Sequence, residues 1–508
     1  MAKMKIILLF YIALGISSIA QSEMHRAYEP EFYDNITKQH EQKKVPPEQY
    51  RFIDATGNGY FYSQPENWKD NSFFNGWGFY EALEADVIMF ELTNKTKYFE
   101  RASKTIDNIF KNRDDSRGVL NYKGVSPPTW SCGSRYHFSK YLVRNNENTN
   151  VLEIKVYGIW AQGKNTGKRV RNEDIKISFS EGSKPNTFNI EFEDPTNLFY
   201  NKSHILALRN ISVFKGKVLN EELKEFLNES IQIKILKPKM HISAKTITGF
   251  NPPSIMETIR ADYLVGVGIL TRPITKFIKI LQTHPAVQDI DKANKYIKYL
   301  EETFAYHEKD WVSNGKNQGY YRISPNSPQT PNGVILPWNQ QFTYLSAILG
   351  LYDVTGKNVY KDKVVKVLNY FKESALSYKI EGNYYKWTYW LWPGHNAIES
   401  THYASIDTIF FYDAYNKGLL DDVFMERITN TWVNIIKPNH LSDRIDGRIK
   451  PHKRRSDLGK VSFLAKWNNI ILEKSIEWLE ADNLVSNKNT HTMRSTAEVI
   501  KAYRIKNR

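Results

Sequence analysis

Two distant stretches of this chain share one plan. Glu81–Phe110 reads EALEADVIMFELTNKTKYFERASKTIDNIF, and Thr343–Phe371 reads TYLSAILGLYDVTGKNVYKDKVVKVLNYF. Each is an apolar-periodic helix, a Thr-Asn or Thr-Gly turn, a tyrosine and a second, amphipathic helix. Such a hairpin cannot bury its apolar faces alone, and its recurrence constrains the chain to an architecture of stacked helix pairs. Val287–Phe304 has the same helical spacing without the full pair, and further helices are read at Ile255–Gln282, Thr401–Lys417, Asp422–Ile436 and Phe463–Leu479. Spread over this length, the hairpins predict a mainly α fold: an α/α toroid, either incomplete or an (α/α)6-like barrel.

The stretch 136–245 breaks the helical period. Leu152–Val156, Ile175–Phe179, Phe188–Phe192 and Ile231–Leu236 alternate apolar and polar residues, the mark of half-buried strands. A small β-sheet region is therefore expected as an insertion, with a helix inside it at Asn220–Leu227. The expected organisation is a leader at 1–20, an N-terminal helical part at 21–135, the β-rich insertion at 136–245 and the main helical part, with the site, at 246–508. One more helix is expected in the Lys-rich tail beyond Ala481.

The leader is expected from a basic start, an apolar run from Ile6 to Ile19 and small residues at Ser18-Ile19-Ala20, which together describe a secretory signal peptide. The mature protein is then expected to be periplasmic or secreted, with no membrane association after cleavage. Cys132 is the only cysteine, which rules out intramolecular disulfides and thiolate metal clusters, so stability must come from a large core. A net charge of +15 raises the local concentration of anionic partners. No nucleic-acid motif is present, so an anionic polysaccharide or oligosaccharide is the expected partner of an exported protein. Lysine-rich composition without any ligand is the alternative. No GxSxG elbow, P-loop, GxGxxG turn or HExxH helix occurs, and neither a metal nor another cofactor is expected.

Between Tyr384 and Trp392 six of nine residues are aromatic, and the run leads into Glu399-Ser400-Thr401-His402 at the start of an apolar helix. Aromatic faces stack on sugar rings, so Trp387, Tyr389 and Trp390 are candidate substrate contacts; their spacing of two is equally that of a buried strand. Ser400 or Thr401 can cap the helix and place His402 in its first turn. A helix N-terminus disfavours imidazolium and suits His402 to accept a proton. Glu399 can orient that ring or bind substrate. Trp338-Asn339-Gln340-Gln341 supplies amides able to hydrogen-bond a uronate carboxylate, and helix capping by Asn339 is the simpler role. Arg260 can pair with a carboxylate or sulfate, or with Asp262 inside the protein.

Pro337–Phe342, Leu351–Tyr360, Glu399–His402 with Asp407, and Ala414–Gly418 together resemble a group of exported bacterial α/α-toroid carbohydrate enzymes. These are similar to the glucuronyl C5-epimerase C-terminal domain and to uronate-acting polysaccharide lyases and dehydratases of ulvan-type degradation systems. The resemblance runs from about Ile255 to Leu479. Where the group has Glu-Asp-x-Ser-His, this chain has Ile398-Glu399-Ser400-Thr401-His402, so one acid is missing. The resemblance implies proton abstraction at C5 of a uronate and β-elimination. His402 is then the base, Tyr389 or Tyr403 the acid, and Asn339, Gln340 and Arg260 the carboxylate partners, with Trp338 beside them. An epimerase shares the first step. A glycoside hydrolase using Glu399 with Asp407 or Asp262, and a non-catalytic glycan-binding protein, are the rivals.

Overall fold

The computed structural model describes residues 26–41, 72–121, 123–131, 137–157, 176–183, 187–193, 205–214, 217–218, 231–236, 247–250, 257–258, 262–325, 327, 333–392, 397–448, 450–452, 455–484 and 490–507. The expected leader, Cys132, Arg260 and the expected helix at Asn220–Leu227 lie outside the described residues.

The chain is mainly helical. Its longer helices are α1 (Pro30–Glu41), α2 (Ser72–Thr93), α3 (Thr96–Lys111), α4 (Leu264–Thr283), α5 (Ile290–His307), α6 (Trp338–Thr355), α7 (Asn358–Ser374), α8 (Thr401–Asn416), α9 (Asp422–Ile435), α10 (Ile470–Leu484) and α11 (Thr490–Lys506). The two hairpins read from the sequence are α2–α3 and α6–α7. Left-handed residues reverse the chain between their helices: Asn94 at φ 55° in the first and Gly356 at φ 70° in the second. Asp289 and Asp421 cap α5 and α9, accepting from the Lys292 and Phe424 N–H groups at 2.9 and 2.7 Å.

The helices are of two kinds. In α4 every residue from Leu264 to Thr275 is buried, in α6 every residue from Trp338 to Leu349, and in α8 every residue from Ala404 to Phe411. Helices covered all round belong to an interior. By contrast, α7 buries Val364, Val367, Leu368 and Phe371, a single stripe at three- and four-residue spacing. Contacts among the enclosed helices run from α2 to α4, α6 and α8, then through a 3-10 segment at Gly459–Lys466 to α11, which packs back on α2. Charges inside this group are compensated across helices. Glu84 on α2 receives Arg272 of α4 at 2.6 Å, Lys276 at 2.7 Å and Arg494 of α11 at 3.0 Å. Burial alone would raise the Glu84 pKa, but the three cations outweigh it and hold the carboxyl well below its usual range.

The closest approach is between α4 and α6. A Cβ on Gly268 would lie 2.5 Å from the Tyr344 nitrogen and 2.6 Å from the Thr343 carbonyl carbon, both backbone atoms that no rotamer change can move. Gly268→Ala is therefore expected to lower stability by about 1–3 kcal/mol by prying the helices apart. Denaturant unfolding checks this, and an unchanged midpoint would mean that the two helices separate without loss.

The strands form separate antiparallel sheets. One follows the order β7 (Ile231–Ile235), β2 (Asn150–Tyr157), β1 (His137–Asn145) and β8 (Ile247–Phe250), with β9 (Glu257–Thr258) also on β1. A second follows β3 (Lys176–Glu181), β4 (Thr187–Glu193), β5 (Ile205–Phe214) and β6 (Lys217–Val218). Pairing thus reaches Thr258, beyond the expected boundary at 245, and α4 begins at Leu264 rather than near Ile255. Two short hairpins, β10–β11 (Trp311–Asn314, Gln318–Tyr321) and β12–β13 (Leu376–Lys379, Tyr384–Trp387), interrupt the helical part. The helix expected at Phe463–Leu479 is broken: the 3-10 segment ends at Lys466 and α10 starts at Ile470. Asn468 causes the break by accepting the Ile470 N–H at 3.1 Å on its side-chain oxygen, a local bond that competes with helix continuation. Among the described residues no helix is long and apolar enough to cross a membrane.

Candidate functional site

The start of α8 is fixed before any side chain of the site is considered. Ser400 caps it, accepting from the Tyr403 N–H. The Thr401 N–H donates to the Asp443 carbonyl at 3.0 Å, and the Thr401 hydroxyl donates to the Ser442 carbonyl at 2.5 Å. The segment clamped in this way continues to His452, whose N–H donates to the Leu441 carbonyl at 2.7 Å. One piece of backbone pairing therefore positions two histidines.

Both rings converge on Asp457, in a 3-10 turn at Arg455–Asp457. His402 Nδ1 lies 3.0 Å and His452 Nε2 2.8 Å from the same Asp457 Oδ2, and the ring centroids are 6.5 Å apart at 26°. The Asp457 side chain is fully buried. Lys460 Nζ lies 3.0 Å from its other oxygen and 2.6 Å from Glu81 Oε1, which also accepts from the Tyr80 hydroxyl at 2.8 Å. Burial would raise the Asp457 pKa, but Lys460, then His402 and the hydrogen bonds of both histidines, take it well below its usual range. An ionised carboxylate only accepts, so the nitrogens facing it are N–H donors. The ring nitrogens turned away from the carboxylate are then Nε2 of His402 and Nδ1 of His452.

Aromatic rings continue this wall. Tyr403 lies 5.5 Å from His402 and stacks on Tyr389 at 5.7 Å, both tyrosines half-buried. Tyr389 is held by its own backbone: its N–H donates to the Ala397 carbonyl at 2.8 Å, and its carbonyl accepts the Trp338 N–H at 3.2 Å. That second bond brings the start of α6 beside the start of α8. Trp390 donates its indole N–H to the Ile335 carbonyl at 2.6 Å and stacks on Trp392. Asn339 and Gln340 are buried. Gln340 Nε2 donates to the Tyr263 hydroxyl at 3.0 Å, while Asn339 Oδ1 and Gln340 Oε1 have no hydrogen-bond partner among the described residues. Trp338 is fully enclosed, packed on Phe342 and Phe371.

Three expected site residues, Trp338 among them, are turned into the core. Trp387 is fully buried between Phe371 and Phe411 and donates to Asp407 Oδ2 at 2.8 Å, so its ring offers no face to a sugar. Glu399, also fully buried, accepts the Ser400 N–H at 2.8 Å and hydrogen-bonds Asp407. Burial raises both carboxyls well above their usual range, and the charge of Asp407 adds to the rise at Glu399. Asp262 is occupied too, accepting from Tyr306 at 2.6 Å and Lys309 at 2.9 Å.

The carboxyl pair has a pH signature. Groups raised above their unfolded pKa values contribute fully at acid pH, and that contribution is lost as pH rises toward the folded values. Glu399→Gln removes the group being titrated. It is expected to match the parent in stability near pH 4 and to exceed it by about 1 kcal/mol near pH 8. Melting temperatures across that range decide it, and a gap that widens toward acid pH would disprove the upward shift.

Asp457, His452, Lys460 and Glu81 were not among the expected site residues. The stretch Pro451-His452-Lys453-Arg454-Arg455-Ser456-Asp457 reads as a solvated basic run, and nothing local distinguishes its acid as a buried hub. A separate cavity of about 230 Å3 opens between the C-terminal halves of α4, α6 and α8, the opposite ends of these helices from His402 and Asn339. Its lysines are balanced: Lys417 and Lys279 face Asp353 at 2.5 and 3.9 Å, and Lys501 faces Glu91 at 4.0 Å. No protein-family model and no curated protein matches this chain significantly.

Proposed function

We propose that the helical part of this chain is an α/α toroid whose mouth, at the starts of α6 and α8, eliminates across C4–C5 of a uronate in an anionic polysaccharide or oligosaccharide. The toroid reading is supported by the contact sequence that leaves α2 and returns to it through α11. The elimination reading is carried by one observation: His402, partly buried on the wall, is oriented through Nδ1 by an ionised, buried carboxylate. That is the arrangement of a histidine base.

The proton on C5 is weakly acidic, and its removal places enolate-like charge on the uronate carboxylate. In this reading His402 Nε2 takes the proton. Asn339, Gln340 and Arg260 hydrogen-bond the carboxylate, and an acid on the same wall protonates the departing O4. Cleavage of a glycosidic bond makes the enzyme a lyase, and loss of a terminal hydroxyl a dehydratase. Glycoside hydrolysis needs two carboxyls roughly 5–10 Å apart flanking the bond; Glu399 and Asp407 instead hydrogen-bond each other inside the core.

Incubation with a panel of uronate polysaccharides and their oligosaccharides tests this. Absorbance of a conjugated enoate is expected to rise, and His402→Gln should slow that rise by about 10^2–10^4-fold without lowering the melting temperature. New reducing ends with flat absorbance would overturn elimination in favour of hydrolysis.

A further inference from the structure

The proposed elimination needs an acid as well as a base, and the sequence points only to tyrosines. The geometry points to His452 as that acid. This inference rests on the elimination reading and adds a residue and a stereochemical class of substrate to it.

His452 and His402 share one carboxylate oxygen, with ring centroids 6.5 Å apart and planes only 26° from parallel. Asp457 fixes opposite nitrogens of the two rings, Nδ1 of His402 and Nε2 of His452, and we assign the exchange to the other nitrogen of each ring, Nε2 and Nδ1. The side chains are 20% and 12% exposed, so solvent reaches part of each. Lys460, in contact with Asp457, is 1% exposed and has no such access. One carboxylate oxygen thus orients two imidazoles side by side, the arrangement that places a base and an acid together.

The C5–H bond breaks, its proton goes to His402 Nε2, and its electron pair delocalises into the carboxylate. That pair then forms the C4=C5 double bond as C4–O4 breaks, and the electrons left on O4 take the proton from Nδ1 of protonated His452. His402 leaves protonated and His452 neutral, and exchange with water at their exposed edges resets both.

Two groups held on one oxygen occupy one wall, and one wall meets one face of a sugar ring. The substrate is therefore a uronate whose C5 hydrogen and C4 oxygen lie on the same face, as in glucuronate, and not its C5 epimer.

The test compares His402→Gln and His452→Gln, each checked for an unchanged melting temperature. Elimination and C5 hydrogen–deuterium exchange in heavy water are followed on uronate oligosaccharides that differ only at C5. His402→Gln is expected to lose both exchange and elimination. His452→Gln is expected to keep exchange and lose elimination by at least a hundredfold, and added imidazole should restore elimination to His452→Ala. Loss of both reactions in His452→Gln, or retention of elimination, would overturn the assignment. Elimination of the epimer whose C5 hydrogen and C4 oxygen lie on opposite faces would overturn the single-wall inference while leaving uronate elimination standing. Neither reaction in the unmutated protein on any uronate would instead overturn the function itself, and this inference with it.

Discussion

Asp457→Asn is expected to cost the fold about 3–5 kcal/mol, the scale for removing one partner from a buried ion pair. The amide fills the same space, so no cavity contributes. What is lost is the charge that faces Lys460, itself only 1% exposed, and the acceptor shared by two histidines. The sign of the pH dependence is fixed by the depressed Asp457 pKa. Its stabilisation is present above the unfolded value of about 3.9 and is lost as pH falls through the folded one. The cost of the substitution should therefore be complete at neutral pH and shrink in acid. Lys460→Met alone should also destabilise, and the double variant should cost less than the two singles added, because the remaining charge is no longer uncompensated. Additive losses in that cycle would show that Lys460 and Asp457 do not act as a pair.

Trp387→Ala is expected to cost about 3–5 kcal/mol by emptying a large, fully enclosed site. The indole also donates to Asp407, so Trp387→Phe separates the two contributions. Phenylalanine retains much of the packing against Phe371 and Phe411 but leaves a buried carboxyl short of a donor, at about 1–3 kcal/mol. Urea unfolding of the three proteins measures both quantities. Unchanged stability in Trp387→Ala together with weakened glycan affinity would reverse the assignment and make this ring a sugar platform.

These two residues show why the sequence was legible in some places and opaque in others. The hairpins α2–α3 and α6–α7 could be read because a helix that buries a stripe must repeat apolar residues every three to four positions, and their turns need residues such as Asn94 and Gly356 that tolerate positive φ. The place of His402 could be read because capping is local: Ser400 sits two residues before it. The aromatic run could not be divided by spacing. Tyr385, Trp387 and Tyr389 would share one face of a continuous strand, but β13 ends at Trp387 and the chain turns to pair Tyr389 with Ala397. One aromatic goes into the core and the next onto the wall. Asp457 is 55 residues from His402. Its role comes from burial and convergence, which no local pattern encodes. The break at Asn468 was lost to the opposite error, since apolar periodicity continues through a residue whose side chain ends the helix.

The packing of α11 on α2 has a consequence for how the molecule comes into being. Arg504 donates to the Leu92 carbonyl across a sequence separation of 412 residues, and Arg494 meets Glu84 between the same two helices. During synthesis α2 appears long before its neighbour. Until α11 arrives, one flank of α2 lacks the surface that will cover it. Loops that long close slowly, and open flanks of this kind invite association with other chains. Glu84 meanwhile can already be neutralised by Arg272 and Lys276 of α4, which emerges earlier. The carboxylate at this seam thus has partners at two stages of synthesis, early ones from α4 and a later one from α11.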